Sequence, residues 1–395
     1  MHIFFDAQPI AAQLAGVGRY CRELVTALAP ILDPKRDRLT LGFFDFRRRA
    51  AASLTSLLEA LPADAPVHLA PVRTVPGRYV QAAWKYFGAP PWEALFPATA
   101  DVVHFPNFAL PPTRHRACVC TVHDLSFVRF PQFADDRNRR WLTKAVPRAV
   151  ARARLILADS EFSRREILEV YGASPERVVS IPLACSPHFQ PSAGPGRARE
   201  GASHGWPDRF FLSVGTLEPR KNLAALLEAF AIGCRDRRWP EQTGLVLAGM
   251  RGWKMQSLLD SLAAHPFRDR IHLAGYLQWE HLPALYSAAL ALICTSFYEG
   301  FGMPVLEAMA CGTPVITSDA ASLPEVGGDA VLYAAPHDVA AFAAHMAAVA
   351  ADPALRERLR RAGLQRACLF SWEKTARETL AAYRHAAGTR PAEPL

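Results

Sequence analysis

Apolar positions along this chain follow two rhythms: short continuous runs, and longer stretches in which they recur every three or four residues. In the first half the continuous runs fall at 2–7, 39–45, 101–105, 117–122 and 155–158. Runs that are apolar throughout, rather than alternating, suit strands buried on both faces of a parallel sheet. Helical spacing covers 18–29, 79–87, 136–151 and 160–171. A second series of runs follows at 210–214, 244–248, 271–274, 289–294, 314–317 and 330–333, with a helix over 223–231. Strands alternating with helices predict an α/β fold with parallel sheets. The two series are separated by PSAGPGRAREGASHG, which is small, polar and rich in Gly and Pro and reads as a linker. The expected division is a domain over 1–190, a linker over 191–206 and a domain over 207–370. Ser371 is placed to cap a last helix over 371–387, and a disordered tail is expected over 388–395.

Two strand-to-helix junctions carry the chemistry. In residues 296–307, SFYEGFGMPVLE, an apolar run enters a glycine-punctuated loop, and Pro304 opens a helix where its missing N–H costs nothing. The N–H groups near Gly302 and Met303 then form an anion site at the positive end of that helix. Glu299 precedes this site, and Glu307 lies about one turn inside the helix. Carboxylates accept hydrogen bonds from hydroxyl groups, so a diphosphate flanked by polyhydroxyl rings would suit the layout. A capped helix after a core strand, with glutamates on its wet face, is the plainer alternative. Residues 213–222, SVGTLEPRKN, repeat the arrangement with Gly215 at the turn and the cations Arg220 and Lys221 beside it. Arginine offers a planar fork to phosphate oxygens and lysine a mobile point charge.

Together these segments resemble the retaining family-4 glycosyltransferases of GT-B architecture. Such folds have two Rossmann-like parallel-sheet domains facing a central cleft, with the C-terminal helix crossing back to the N-terminal domain. The resemblance spans most of the chain and is densest over 213–326, where Glu299 and Glu307 form the family's E-x7-E signature. The order of LEPRKN, a Gly-Tyr loop, YEGFG and SLPEVGGDA looks most like bacterial mannosyltransferases of O-antigen and exopolysaccharide assembly. By that resemblance Glu299 holds hydroxyls of the donor sugar and Glu307 those of the ribose. Phe301, Gly302 and Met303 offer backbone N–H groups, and Lys221 contacts the diphosphate. Many members carry an arginine near the place of Thr216, and Arg220 is the residue that could replace its charge. The N-terminal domain would bind the acceptor and the C-terminal domain the nucleotide sugar.

Other positions are less specific. Gly16 and Gly18 form either a tight turn or a loop that lets backbone approach a diphosphate, with Arg19 adjacent. His123 ends a strand-like run, where it is either structural or, by the resemblance, in contact with the donor sugar. Gly275 and Tyr276 follow a strand and form a simple turn or line a nucleobase pocket. Residues 159–164, DSEFSR, suit a helix cap, with contact of Ser163 or Arg164 to phosphate as the alternative. Residues 75–97 interleave Arg78, Tyr79, Trp84, Lys85, Tyr86, Phe87, Trp92 and Phe96. That mixture fits a membrane interface or a lipid-linked acceptor as well as it fits a core helix and turn.

Composition narrows the rest. With 395 residues there is room for two cores, and no apolar run approaches the roughly 18 residues of a membrane span. The N-terminus enters a strand without the pattern of a signal peptide, which predicts a cytoplasmic protein, and the basic, aromatic stretch and positive charge add peripheral attachment to the inner face of the plasma membrane as an expectation. Eight cysteines without paired C-x-x-C sets are expected as buried small hydrophobes, with no metal and no cofactor. The net charge of +8 favours anionic partners, and the absence of a nucleic-acid motif favours nucleotide diphosphates and anionic lipid. The resulting expectation is hexose transfer, mannose from GDP-mannose, to a lipid-linked bacterial glycan. A UDP- or dTDP-sugar donor and a catalytically silent scaffold of the same fold are the alternatives.

Overall fold

The computed structural model describes residues 1–12, 16–48, 51–96, 99–192 and 205–388. It divides into two compact units, one of residues 1–125, 140–183 and 372–395, the other of residues 126–139 and 184–371. This division differs from the expected boundary at 190, because 126–139 and 184–190 group with the second unit. Of the expected linker, 193–204 lie outside the described residues, as do 389–395 of the expected tail.

Among the described residues the first unit has seven parallel strands: β1 (His2–Asp6), β2 (Arg38–Phe44), β3 (Val67–Val72), β4 (Val102–Phe105), β5 (Cys118–Val122), β6 (Leu155–Ala158) and β7 (Val178–Ser180). They are ordered β3-β2-β1-β4-β5-β6-β7. β4, β5 and β6 are buried at every residue, which is why each reads as an unbroken apolar run. The sequence pattern misses β3 and β7, and both are edge strands. β3 is mostly half-exposed and contains Pro71, which an edge tolerates because one side of the strand needs no ladder N–H. Phe4, Trp92, Phe96 and Phe105 fill the space beneath β1 and β4, with Trp92 stacked on Phe96 at 5.3 Å.

Among the described residues the second unit has six parallel strands: β8 (Phe210–Val214), β9 (Gly244–Ala248), β10 (Ile271–Gly275), β11 (Ala291–Cys294), β12 (Val315–Ser318) and β13 (Leu332–Ala334). Their order is β10-β9-β8-β11-β12-β13. In both sheets the strand order reverses direction once, between β1 and β4 and between β8 and β11. Open α/β sheets bind ligands beyond the carboxyl ends of the strands at such a reversal. Six of the eight cysteines are buried as expected, whereas Cys185 is half-buried and Cys368 exposed.

The helix Trp372–Ala387 belongs to the first unit and is fixed there by polar contacts. Tyr383 Oη lies 2.7 Å from His104 Nδ1, and His104 Nε2 lies 2.8 Å from Thr121 Oγ1, which also meets Tyr20 Oη at 3.2 Å. Burial, and then the charge of His123, push His104 down to about 3, so its ring is neutral. A neutral imidazole has one donor and one acceptor nitrogen, and both are used here. Tyr383→Phe leaves one of them unpaired in the core. It should destabilise the first unit by about 1–3 kcal/mol, read as a lower denaturation midpoint with an unchanged slope.

Candidate active site

The chain leaves β8 through Gly215, whose φ is +138°. A Cβ there would lie 3.2 Å from Lys221 Cε, so the missing side chain makes room for the lysine head. Gly249 follows β9, and a Cβ on it would come 1.9 Å from the Gly215 carbonyl oxygen, so only glycine permits this backbone approach. A 3-10 turn over Pro219–Lys221 then ends at Asn222, in the left-handed region at φ +51°. The Asn222 amide donates to the Pro336 carbonyl at 2.7 Å. Thr295, just past β11, places its hydroxyl 2.9 Å from the Lys221 carbonyl and 3.0 Å from that of Asn222. The turn after β8 is thereby tied to the end of β11, at the strand-order reversal.

The side chains of that junction form a buried charge cluster. Lys221 Nζ donates to Glu299 Oε1 at 2.6 Å and Arg220 Nη1 to Glu299 Oε2 at 2.9 Å. Ser296 Oγ also donates to Glu299 Oε1, at 2.6 Å. Arg220 further donates from Nη1 to the Tyr298 carbonyl at 2.6 Å and from Nη2 to Glu218 at 2.5 Å. Burial alone would raise the Glu299 carboxyl, but the charges of Lys221 and Arg220 and the hydrogen bonds from Lys221 and Ser296 outweigh it, holding the pKa at about 2. Arg220 is therefore committed to fixing the loop. Lys221 spends one of three ammonium donors on Glu299.

Beyond Glu299 the chain passes through Gly302, at φ +110°, into the helix Met303–Ala310, with Pro304 in its first turn. A Cβ on Gly302 would meet Leu323 Cδ2 at 2.8 Å. The Ser322 hydroxyl lies 2.8 Å from the carbonyl oxygens of both Glu299 and Phe301 and so holds the loop from behind. Pro304 has no N–H, and the Val305 and Leu306 N–H groups donate to the Gly302 carbonyl at 3.0 and 3.3 Å, so the Met303 N–H and the helix dipole are what this end presents to an anion. Glu307, at the fifth residue, is buried and accepts from Tyr286 Oη at 2.7 Å. The wet-face alternative for the two glutamates is thus excluded. Ser296, Ser322 and Tyr286 were not foreseen. Ser296 lies three residues before Glu299, but Tyr286 is 21 residues from Glu307 and carries no local signal.

Elsewhere in the second unit, Gly275 closes β10 at φ +67°, its carbonyl accepts from the Gly249 N–H at 2.8 Å, and Tyr276 is exposed. The remaining sequence candidates lie in the first unit. Gly16 and Gly18 fall in the first turn of the helix Gly16–Leu28. His123 follows β5, with Nδ1 2.8 Å from Asp159 Oδ2 and Nε2 2.9 Å from the Pro106 carbonyl oxygen. Both partners accept, so the ring carries a proton on each nitrogen whenever Asp159 is ionised. Burial opposes that charge, but Asp159 and the Pro106 carbonyl outweigh it and raise the His123 pKa. With both nitrogens donating, the ring has no lone pair with which to act as a general base. Ser160 caps the helix Glu161–Tyr171 by accepting from the Ser163 N–H at 3.0 Å.

The basic, aromatic stretch divides in two. Trp92 and Phe96 are core residues, whereas Tyr79, Tyr86 and Phe87 on the helix Gly77–Phe87 are 57%, 70% and 81% exposed. Arg78 lies 4.7 Å from the Tyr79 ring centroid and Lys85 5.2 Å from that of Tyr86. Among the described residues no helix is long and apolar enough to cross a membrane.

Residues 197–366 match the family model described as glycosyl transferases group 1, and residues 14–188 match that of glycosyltransferase family 4. The chain is 35% identical to O-antigen chain mannosyltransferase B of Escherichia coli, over 97% of this chain and all of the relative. It is 29% identical to the serotype-specific mannosyltransferase WbdA of Escherichia coli over 65% of this chain, and the match spans about a third (32%) of that longer protein. Among solved structures, sucrose-phosphate synthase from Thermosynechococcus elongatus superposes with a TM-score of 0.71 at 21% identity, covering 98% of each chain. WaaG, a glycosyltransferase involved in lipopolysaccharide biosynthesis, superposes with a TM-score of 0.67 at 17% identity, covering 98% of this chain and all of its own. The fold is GT-B.

The charge cluster has an acid signature. Because the folded pKa of Glu299 lies below its ordinary 4.5, its contribution to stability is complete above that value and is lost as pH falls towards 2. The stability advantage of the wild type over Glu299→Gln should therefore be largest at neutral pH, roughly 3 kcal/mol, and should shrink below pH 4.5. Denaturant titrations of both proteins at a series of pH values measure it, and a constant difference would remove Glu299 from the cluster's ionisation.

Proposed function

Since this chain belongs to the glycosyltransferases of group 1 and family 4, we propose that it transfers mannose from GDP-mannose to a lipid-linked bacterial glycan, with retention at the anomeric carbon and without a metal. The observation that carries this reading is the Lys221–Glu299 contact at the strand-order reversal, beside the first turn of the helix Met303–Ala310. The choice of mannose and of a glycan acceptor rests on the likeness to the O-antigen mannosyltransferase.

In this reading the diphosphate of the donor lies against the Phe301, Gly302 and Met303 N–H groups and the two unspent donors of Lys221. Arg220 acts through Glu299 and the Tyr298 carbonyl, holding the loop in place. Glu299 has acceptor capacity left for a sugar hydroxyl, and Glu307 faces the ribose. The anomeric C–O bond breaks, and the nucleoside diphosphate departs with the bonding pair. The acceptor oxygen bonds the same face of the sugar and yields its proton to the departing phosphate oxygen. Stabilising the leaving charge is electrostatic work that fixed cations and helix N–H groups can perform.

The acceptor side of the proposal places the enzyme on the cytoplasmic face of an anionic membrane. Exposed Tyr79, Tyr86 and Phe87 would enter the interface, with Arg78 and Lys85 set against lipid phosphates.

Two experiments test this. A thermal-shift screen of GDP-, UDP- and dTDP-sugars should show the largest stabilisation with GDP-mannose, since a ligand that binds only the native state raises its melting point. In a transfer assay run in excess EDTA, the wild type should keep its activity. Lys221→Ala should lose about a hundredfold or more in turnover while remaining folded. A larger shift with UDP-glucose, or loss of activity restored by magnesium or manganese, would overturn the donor or the metal part of the reading. Separately, flotation with phosphatidylglycerol vesicles should succeed at low salt, weaken as salt rises, and fail in the triple variant Tyr79→Ser, Tyr86→Ser, Phe87→Ser. Unchanged flotation of that variant would move the membrane contact elsewhere.

A further inference from the structure

The second unit contains a cavity that the transfer reaction does not use. Its volume is about 410 Å³, and it lies at the end of the strands opposite the candidate active site. Asp208 and Arg209 immediately precede β8, Leu290 precedes β11 and Pro314 precedes β12, so the cavity opens beneath the amino ends of these three strands. The charge cluster described above follows the carboxyl ends of β8 and β11. Arg356 and Arg360, from the helix Pro353–Ala367, complete the wall.

Three guanidinium groups line this space. Arg209 gives Nη2 to the Ala350 carbonyl at 2.6 Å, but its buried Nε has no hydrogen-bond partner. Arg356 sends Nη1 to the Val349 carbonyl at 2.6 Å and the Ala350 carbonyl at 3.1 Å. Burial, and then the facing charge of Arg356, depress the pKa of Arg209, as like charges brought together do. Asp208 and Glu357 line the same cavity, so its wall carries three cations and two carboxylates. Glu357 is divided between Arg360 at 3.4 Å and Arg361 at 3.9 Å, and Asp208 is exposed. The helix end does not compete for an anion either, because Asp352 already accepts from the Ala354 and Leu355 N–H groups at 2.8 and 3.0 Å.

We propose that this cavity is a second anion site, which takes a phosphate- or diphosphate-bearing ligand on Arg209, Arg356 and Arg360. Planar guanidinium groups bind phosphate oxygens through paired N–H donors. Ala288, Ala289 and Pro353 give the cavity apolar walls, which suit a phosphate carried on a ring or hydrocarbon body rather than a free ion. Such a ligand bridges strand ends and the helix Pro353–Ala367 within one unit. Its occupancy would report a phosphorylated metabolite or lipid independently of the donor.

The test is calorimetric titration of inorganic pyrophosphate into the full chain, together with co-sedimentation on phosphatidylglycerol vesicles. The wild type should show a binding event that Lys221→Ala retains and that the double variant Arg356→Gln, Arg360→Gln weakens by about tenfold or more. Arg360→Gln alone, which gives up only the ion pair with Glu357, should show a smaller loss in the same direction and guards against misfolding of the double variant. Vesicle binding that depends on Arg356 and Arg360, without a pyrophosphate event, would support the site and identify its phosphate as a lipid headgroup. Titrations and vesicle binding unchanged in both arginine variants would overturn the proposal.

Discussion

Glu299 is the point on which the second unit's functional end depends. Its two oxygens receive Lys221, Arg220 and Ser296, and these come from both sides of the strand-order reversal. A buried carboxylate is costly unless it is paired and hydrogen-bonded, and here it is both. The same contacts hold together the loops after β8 and β11, which are joined again by Thr295 and by the Phe297 N–H on the Arg220 carbonyl at 3.0 Å. Two glycines with positive φ bring the backbone close enough for this to happen, Gly215 beneath the lysine head and Gly302 against Leu323. Side-chain chemistry and backbone freedom are therefore specified together, and neither the cations nor the glutamate can be moved without the other.

A different constraint governs the first unit. There a chain of short polar contacts, Tyr383 to His104 to Thr121 to Tyr20, runs through an otherwise apolar layer, and its outer member belongs to the C-terminal helix. Each group satisfies its neighbour, so an arrangement that would be expensive in isolation becomes specific. His123 and Asp159 lie next to it, and Tyr20 makes edge contact with the His123 ring at 5.1 Å. The imidazole is thus fixed in orientation by its surroundings, with both ring nitrogens engaged.

Much of this was legible in the sequence, for identifiable reasons. The central strands announce themselves because burial on both faces demands unbroken apolar runs, and β4, β5, β6, β9, β11 and β12 are of that kind. β3 escaped because an edge strand alternates and tolerates Pro71. Of the candidate site, Gly215, Arg220, Lys221, Glu299 and Gly302 could be read because each sits in a short segment whose turn chemistry is local. Tyr286 on Glu307, Ser322 on the loop carbonyls and Asp159 on His123 could not, because those contacts span 21 to 36 residues and exist only once the sheets form. The separate fates of Trp92 and Tyr86 were hidden for a related reason. Aromatic residues near cations look alike in sequence, whether they fill a core or face solvent.

The charge balance of the cluster bears on how the proposed donor would be held. Glu218 and Glu299 offset Arg220 and Lys221 one for one, so the junction brings no net charge to a diphosphate. Attraction must then come from the donors that remain uncommitted. Arg220 has little to offer, since its fork is engaged by Glu218, Glu299 and the Tyr298 carbonyl. Lys221 can pivot on a flexible stem and keep Glu299 while reaching a phosphate oxygen. The start of the helix Met303–Ala310 supplies the rest through the Met303 N–H and the positive end of the helix dipole, which no carboxylate among the described contacts neutralises. This explains why the loop that carries Glu299 runs without delay into a helix. The glutamate makes the cations affordable in a buried place, and the helix restores the attraction for anions that the glutamate cancels.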